Sequence, residues 1–145
     1  MIGKLFETLT GKDDLERVAA KGDIAALNLY LRKRTVLVPK RPKHFLDASE
    51  ITESKLLEVI RKESEEASGE PFQPWILEVE GKSRLPIFSS QKRMEQFSKK
   101  MSNELNQVFG LLATETLLYD IPDLGLDFAD LNLFCDESWE IAIRK

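Results

Sequence analysis

The residues able to do chemistry are few and scattered. Cys135 is the single cysteine and His44 the single histidine. A thiol becomes a nucleophile when a nearby base takes its proton. Cys135 instead sits among Leu131, Leu133 and Phe134, apolar surroundings that raise a thiol's pKa and keep it inert. His44 falls in a basic stretch with Arg41 and Lys43. Core packing for the cysteine and an exposed loop for the histidine are therefore expected. One thiol and one imidazole also exclude an intramolecular disulfide framework, a multi-thiolate zinc site and a His-rich metal centre.

Two short motifs fit ordinary structure better than catalysis. Gly81-Lys82-Ser83 ends like a phosphate-binding loop, but the glycine such a loop needs five positions earlier is Ile76. A hairpin turn is the expected reading. Ser89-Ser90-Gln91-Lys92 has the Ser-x-x-Lys spacing of penicillin-recognising acylases, without their companion Ser-Asp-Asn and Lys-Thr-Gly elements. Helix capping is expected there.

Charge is distributed unevenly. Asp120, Asp123, Asp127, Asp130, Asp136 and Glu137 lie in a stretch, Ala113 to Ile143, that holds no lysine or arginine. They lack the alternating ligand spacing of a calcium loop, and nothing fixes a separation for a carboxylate pair in acid–base work. A solvated acidic rim is expected, with no metal and no cofactor. Arg32, Lys33, Arg34, Lys40, Arg41 and Lys43 have the opposite sign, with no acid among them. A nucleic-acid footprint would interleave aromatics for stacking, and only Phe45 is near. The overall net charge of −4 also disfavours nucleic acid.

These residues must be held by a globular scaffold. The 145 residues are 42% hydrophobic and 32% charged, enough for one core and far from disorder. No apolar run is long enough to span a membrane, and Met1 to Glu7 has no signal-peptide pattern, so a cytoplasmic setting is expected.

Residues 12 to 32 predict helix, interrupted at Gly22-Asp23, with Asp23 as a cap. Thr35 to Val38 predicts a strand stopped by Pro39. Ser49 to Ala67 predicts a charged helix capped by Asp47 or Ser49 and ended by Gly69 and Pro71. Trp75 to Glu80 and Leu85 to Phe88 predict a hairpin. Met94, Phe97, Met101, Leu105 and Val108 form the stripe of a helix from Ser89 or Ser90 to about Phe109, with Gly110 as stop. Ala113 to Tyr119 leans helical, Pro122 and Gly125 mark a loop, and Leu131 to Cys135 and Trp139 to Ile143 read as strands. The order implies a single α+β domain, a mostly antiparallel sheet with helices packed on one face. Its expected core is Leu27, Leu31, Val36, Val38, Trp75, Leu77, Ile87, Phe97, Met101, Leu131, Leu133 and Ile141.

Three segments carry a resemblance. Asn28-Leu29-Tyr30-Leu31 leads to Thr35-Val36-Leu37-Val38-Pro39, a helix and then a strand ending in Val-Pro. Leu85-Pro86-Ile87-Phe88-Ser89-Ser90-Gln91-Lys92-Arg93-Met94 is similar to a Leu-Pro-x-Phe-Thr-Ser-x-x-Arg-Leu signature, with Ser89 for threonine. Asp130-Leu131-Asn132-Leu133 resembles the approach to a Leu-Asn-Pro turn, with Phe134 and Cys135 at its Asn-Pro positions. Together, over residues 12 to 143, they resemble the N-terminal domain of the SseB-like (enhanced serine sensitivity) family. That resemblance implies a small bacterial cytoplasmic α+β domain without established catalytic residues. Read from the residues themselves, Pro86 suits an edge strand, Phe88 packs, and the serines cap the following helix.

The expected function is a non-catalytic protein-interaction or regulatory domain. Its partner-binding residues are Arg32, Lys33, Arg34, Arg41 and Lys43 on the basic side and Asp123 and Asp127 on the acidic side. A protein partner is expected, self-association is open, and no membrane is involved. The alternative is a small-ligand-binding or weakly catalytic domain, with a pocket beside Arg93 and the acidic loop. Arg93 is chosen because it matches the family's arginine; a solvated charge on the helix surface is the plainer reading of it.

Overall fold

A computed structural model describes residues 13–69, 72–109, 111–121 and 125–143. The expectations for Pro71, Gly110, Pro122 and Asp123 lie outside the described residues. Two short helices come first, α1 (Asp14–Ala20) and α2 (Ile24–Leu31). Each starts where an aspartate accepts a backbone N–H: Asp13 from Glu16 at 2.8 Å, Asp23 from Ala26 at 3.1 Å. Strand β1 (Val36–Pro39) follows, then β2 (Leu46–Asp47), a single 3-10 turn (Ala48–Glu50) and α3 (Glu53–Gly69). The hydroxyl that opens α3 belongs to Thr52, accepting from Lys55 N–H at 3.2 Å, because the 3-10 turn displaces the helix start past Asp47 and Ser49.

Next come the hairpin β3 (Leu77–Val79) and β4 (Lys82–Ile87), then α4 (Gln91–Leu105) and β5 (Gln107–Val108). Glu80 and Gly81 turn the hairpin, both with positive φ. Ser90 caps α4, its hydroxyl accepting from Arg93 N–H at 3.3 Å, and Asn106 ends it in the left-handed conformation at φ 52. The chain closes with β6 (Ala113–Thr116), a 3-10 turn (Leu118–Asp120), β7 (Phe128–Leu131) and β8 (Trp139–Ala142).

The α+β class holds, with the sheet more divided than expected. β3-β4-β7-β8 form a mixed four-stranded sheet in which β4 and β7 run parallel, while β1 pairs with β6 and β2 with β5. Reciprocal bonds between Leu37 and Phe88, at 2.8 and 2.9 Å, join β1 to the end of β4. Ala113 to Tyr119 is a strand and a 3-10 turn rather than a helix. Thr114 and Thr116 alternate with exposed Ala113 and Glu115, a period of two that β1 completes by pairing. The strand expected from Leu131 begins at Phe128 and stops at Leu131. Asn132 and Phe134 take φ of 57 and 62, which turns the chain before Cys135.

Alternation along the strands sends side chains to two cores. Val36, Val38, Leu85, Ile87, Ala129 and Leu131 face Leu15 and Ala19 of α1 and Leu27 and Leu31 of α2. Trp75, Phe88, Phe97 of α4 and Phe109 form the second core, on which Leu37 packs. Trp75 meets Phe97 and Phe109 edge-on, with ring centroids 5.5 and 5.6 Å apart. Helices therefore lie on both faces of the strand layer, not on one. Of the expected core, Leu77, Met101 and Leu133 are only partly buried. Pro86 is fully buried and lies inside the sheet. β3 pairs only with residues 82–84, so at Pro86 the ladder exists on the β7 side alone and the missing N–H costs nothing.

Candidate functional site

The basic run does not form one surface. Arg32, Lys33 and Arg34 stand exposed just past α2, whereas Arg41 and Lys43 follow β1. The four-residue strand between them alone spans about 13 Å. Lys40 is taken out of the run altogether: it is 3% exposed, and its Nζ meets Glu63 Oε2 at 3.2 Å. Glu63, on α3 and 1% exposed, also accepts the backbone N–H of Lys43 and of His44. One buried carboxylate thus fixes the path of the second basic segment against α3.

The triplet at the end of α2 is ordered by aromatic rings that sequence reasoning missed. The Arg32 guanidinium lies 5.2 Å from the Tyr119 ring centroid, and that of Arg34 lies 5.6 Å from Tyr30. Each such contact at an exposed site is worth about 0.5–1 kcal/mol. Tyr119 is held in turn, its hydroxyl donating to Asn28 Oδ1 of α2 at 2.9 Å. Tyr30 was visible at helical spacing from Arg34. Tyr119 has no local signal, since its contact spans most of the chain.

A cleft of about 230 Å³ opens beside this region, lined by Val38, Phe72, Pro74, Thr114, Thr116 and Ile121, with Asp120 at its side. Mostly apolar, with two hydroxyls and one carboxylate, it contains the first residue of the acidic stretch. A larger, more polar cleft of about 510 Å³ lies between Lys43–Leu46 and α3, where Lys43, Lys55 and Lys62 alternate with Glu50 and Glu58.

The acidic stretch is not a uniform solvated rim. Asp127 Oδ2 accepts the Ser83 backbone N–H at 2.9 Å, and Asp127 N–H donates to the Ser83 carbonyl at 2.9 Å, which ties β7 to the hairpin. Asp130 is buried and bonded to Arg84 at 2.9 Å, and Arg84 reaches Glu140 at 2.7 Å. Burial raises the Asp130 pKa against the pull of Arg84. Asp120, Asp136 and Glu137 remain at the surface.

Arg93 is not a solvated charge on the helix surface. It is 9% exposed, with Nε 3.1 Å from Glu16 Oε1 and Nη1 3.1 Å from Gln96 Oε1. It therefore joins α4 to α1 through a buried ion pair. Glu16, 3% exposed, also completes the capping box of α1 by accepting the Asp13 N–H. Burial is the largest influence on the Glu16 carboxyl, raising its pKa in spite of Arg93.

Cys135 and His44 are held by different helices. The Cys135 thiol donates to the Arg93 carbonyl at 3.2 Å and burial pushes its pKa up to about 11. His44 Nε2 lies 3.0 Å from Glu66 of α3. Ser89 takes part in structure: its N–H and hydroxyl donate to Asn132 Oδ1 at 3.0 and 3.2 Å. Among the described residues no group of three or more His, Cys, Asp or Glu gathers to hold a metal, and no helix is long and apolar enough to cross a membrane. No protein family, no curated protein and no solved structure matches the chain.

Proposed function

We propose that this chain is a non-catalytic protein-interaction or regulatory domain of the SseB-like family, acting in the cytoplasm on an acidic protein partner. The observation that carries the reading is the Arg32-Lys33-Arg34 triplet: three exposed cations in sequence, two of them steadied over tyrosine rings. Ordered cations lose less side-chain entropy when they meet a carboxylate, and a clustered charge raises the rate of encounter. The segment Arg41 to Lys43, pinned by Glu63, adds charge at the far end of β1. Asp127 contributes less than a free carboxylate would, because it already binds Ser83.

The test is capture on immobilised protein, comparing the natural chain with Arg32→Glu, Lys33→Glu, Arg34→Glu combined. A bound protein that disappears with the triple variant, and that elutes between low salt and about 0.5 M where the Debye length falls to about 4 Å, supports the reading. Capture indifferent to both refutes it. A small-ligand reading draws on one observation, the 230 Å³ cleft beside Asp120. A metabolite that raises the melting temperature, with the shift abolished by Thr114→Leu, would favour it. Arg93 gives that reading little support, since Glu16 and Gln96 already occupy its guanidinium.

A further inference from the structure

Among the described residues, strand β6 pairs with β1 and with no other strand. Its register sets Val36 opposite Thr116, Val38 opposite Thr114 and Pro39 opposite Ala113. In an antiparallel ladder, alternate residues turn their N–H and C=O toward the partner and the others turn them away. Lys40 N–H donates to the Leu112 carbonyl at 2.7 Å, so the even-numbered residues 112, 114 and 116 are those bonded to β1. The other side of β1 agrees: Leu37 exchanges bonds with Phe88, and the Pro39 carbonyl accepts from Trp75 N–H. Ala113 and Glu115 therefore direct their backbone groups outward. Both residues are exposed, and among the described residues none bonds to those groups.

An open edge on a monomer is usually blunted with lysine, proline or a bulge. This one has none of them. From Leu111 to Leu118 the only charged side chain is Glu115, and its carboxylate accepts the Thr35 hydroxyl at 2.6 Å within the fold. The rest is leucine, threonine and alanine, a composition suited to pairing.

We propose that this edge pairs with β6 of a second copy, antiparallel across a two-fold axis at Thr114. The chain's own edge is self-complementary in that register. Ala113 faces Glu115 of the other copy at both ends, so the outward N–H and C=O groups of each pair exchange bonds. Thr114 meets its counterpart on the axis, a favourable cross-strand pair. Moving the axis to Glu115 would set two carboxylates opposite each other, which is disfavoured. The product is a four-stranded sheet running β1-β6-β6-β1, with closed symmetry that leaves no further β6 edge. This goes beyond the reading of the arginine triplet, which reversal of Arg32 to Arg34 tests separately.

Sedimentation equilibrium from micromolar to millimolar protein tests it, on the natural chain and on Ala113→Pro. Because the Ala113 N–H faces away from β1, proline removes the outward donor and keeps the internal ladder. The expected result is a mass rising from one chain to two for the natural chain and staying at one for the variant. Amide exchange at Ala113 and Glu115 of the natural chain should slow as concentration rises. A single-chain mass at every concentration overturns the proposal, as does a two-chain mass that persists in a folded Ala113→Pro. If the variant fails to fold, exchange decides: rates at those two amides independent of concentration overturn it.

Discussion

Removing the Glu63 carboxylate should unfold the anchorage of α3. Glu63 is 1% exposed and serves Lys40 Nζ at 3.2 Å, the His44 N–H at 2.5 Å and the Lys43 N–H. In Glu63→Ala the Lys40 ammonium, itself 3% exposed, is left buried without its counter-charge. Breaking one side of a buried pair costs about 3–5 kcal/mol. The two backbone donors add to this unless water reaches them, each by about 1–3 kcal/mol. Taking the lower total of about 5 kcal/mol, and about 3 °C of melting temperature per kcal/mol for a chain of this size, the midpoint should fall by roughly 15 °C, or roughly 10 °C if water satisfies the two donors. Denaturant unfolding followed by circular dichroism measures the free energy directly. Glu63→Gln keeps an acceptor for the backbone donors and should cost less. Lys40→Met combined with Glu63→Leu removes both charges and should recover part of the loss, because matched apolar replacements of buried pairs are often neutral. A Glu63→Ala loss below about 1 kcal/mol would refute the argument, since it would mean that water already solvates the pair.

Three further outcomes follow from other contacts. With its pKa pushed from 9.0 up to about 11, native Cys135 should alkylate roughly 100-fold more slowly than an exposed thiol at neutral pH, and labelling at the free-thiol rate would contradict its burial. Asn132 is buried, holds Ser89 and sits at φ 57, so Asn132→Ala should cost about 2–4 kcal/mol in denaturant titration; Asn132→Gly relieves the backbone part and should cost less, and equal costs would deny any contribution from the turn. Glu16 has a raised pKa in the fold, so the folded state binds its proton first and this group adds stability as pH falls from its folded value toward its ordinary one, and withdraws it as pH rises; Glu16→Gln should flatten that part of the stability–pH curve, and an unchanged slope would sink the assignment.

The local devices of the fold were legible because their causes are local. Asp23 and Ser90 cap helices within three residues of themselves, and Gly81 turns a hairpin between adjacent strands. The β6 segment reads toward helix in the sequence because Leu117 and Leu118 extend its apolar pattern, and only pairing with β1 decides between helix and strand. The strand near Leu131 was displaced because Phe128 and Ala129 pair with Arg84 and Leu85, more than forty positions earlier. What lay furthest from view was the fate of the charges. Arg93 finds Glu16 across 77 positions, and Arg84 finds Asp130 across 46. No periodicity in a single chain announces such pairs.

That fate bears on where function can reside. A run of like charge in a sequence is a surface patch only if the fold leaves those charges to solvent. Here the fold draws Lys40 inward from the basic run and Asp127 and Asp130 inward from the acidic one. The segment that most resembles the SseB-like signature is drawn in still further. Leu85, Pro86, Ile87 and Phe88 are buried, Ser89 binds Asn132, Ser90 caps α4 and Arg93 binds Glu16. Every one of these residues has a structural partner inside the domain, so the segment explains why the chain folds as it does. On the proposed reading, recognition falls to groups that folding has not consumed. The ring-supported triplet at the end of α2 and the outward backbone groups of β6 are of that kind, and Arg32 lies over Tyr119, in the turn that follows β6.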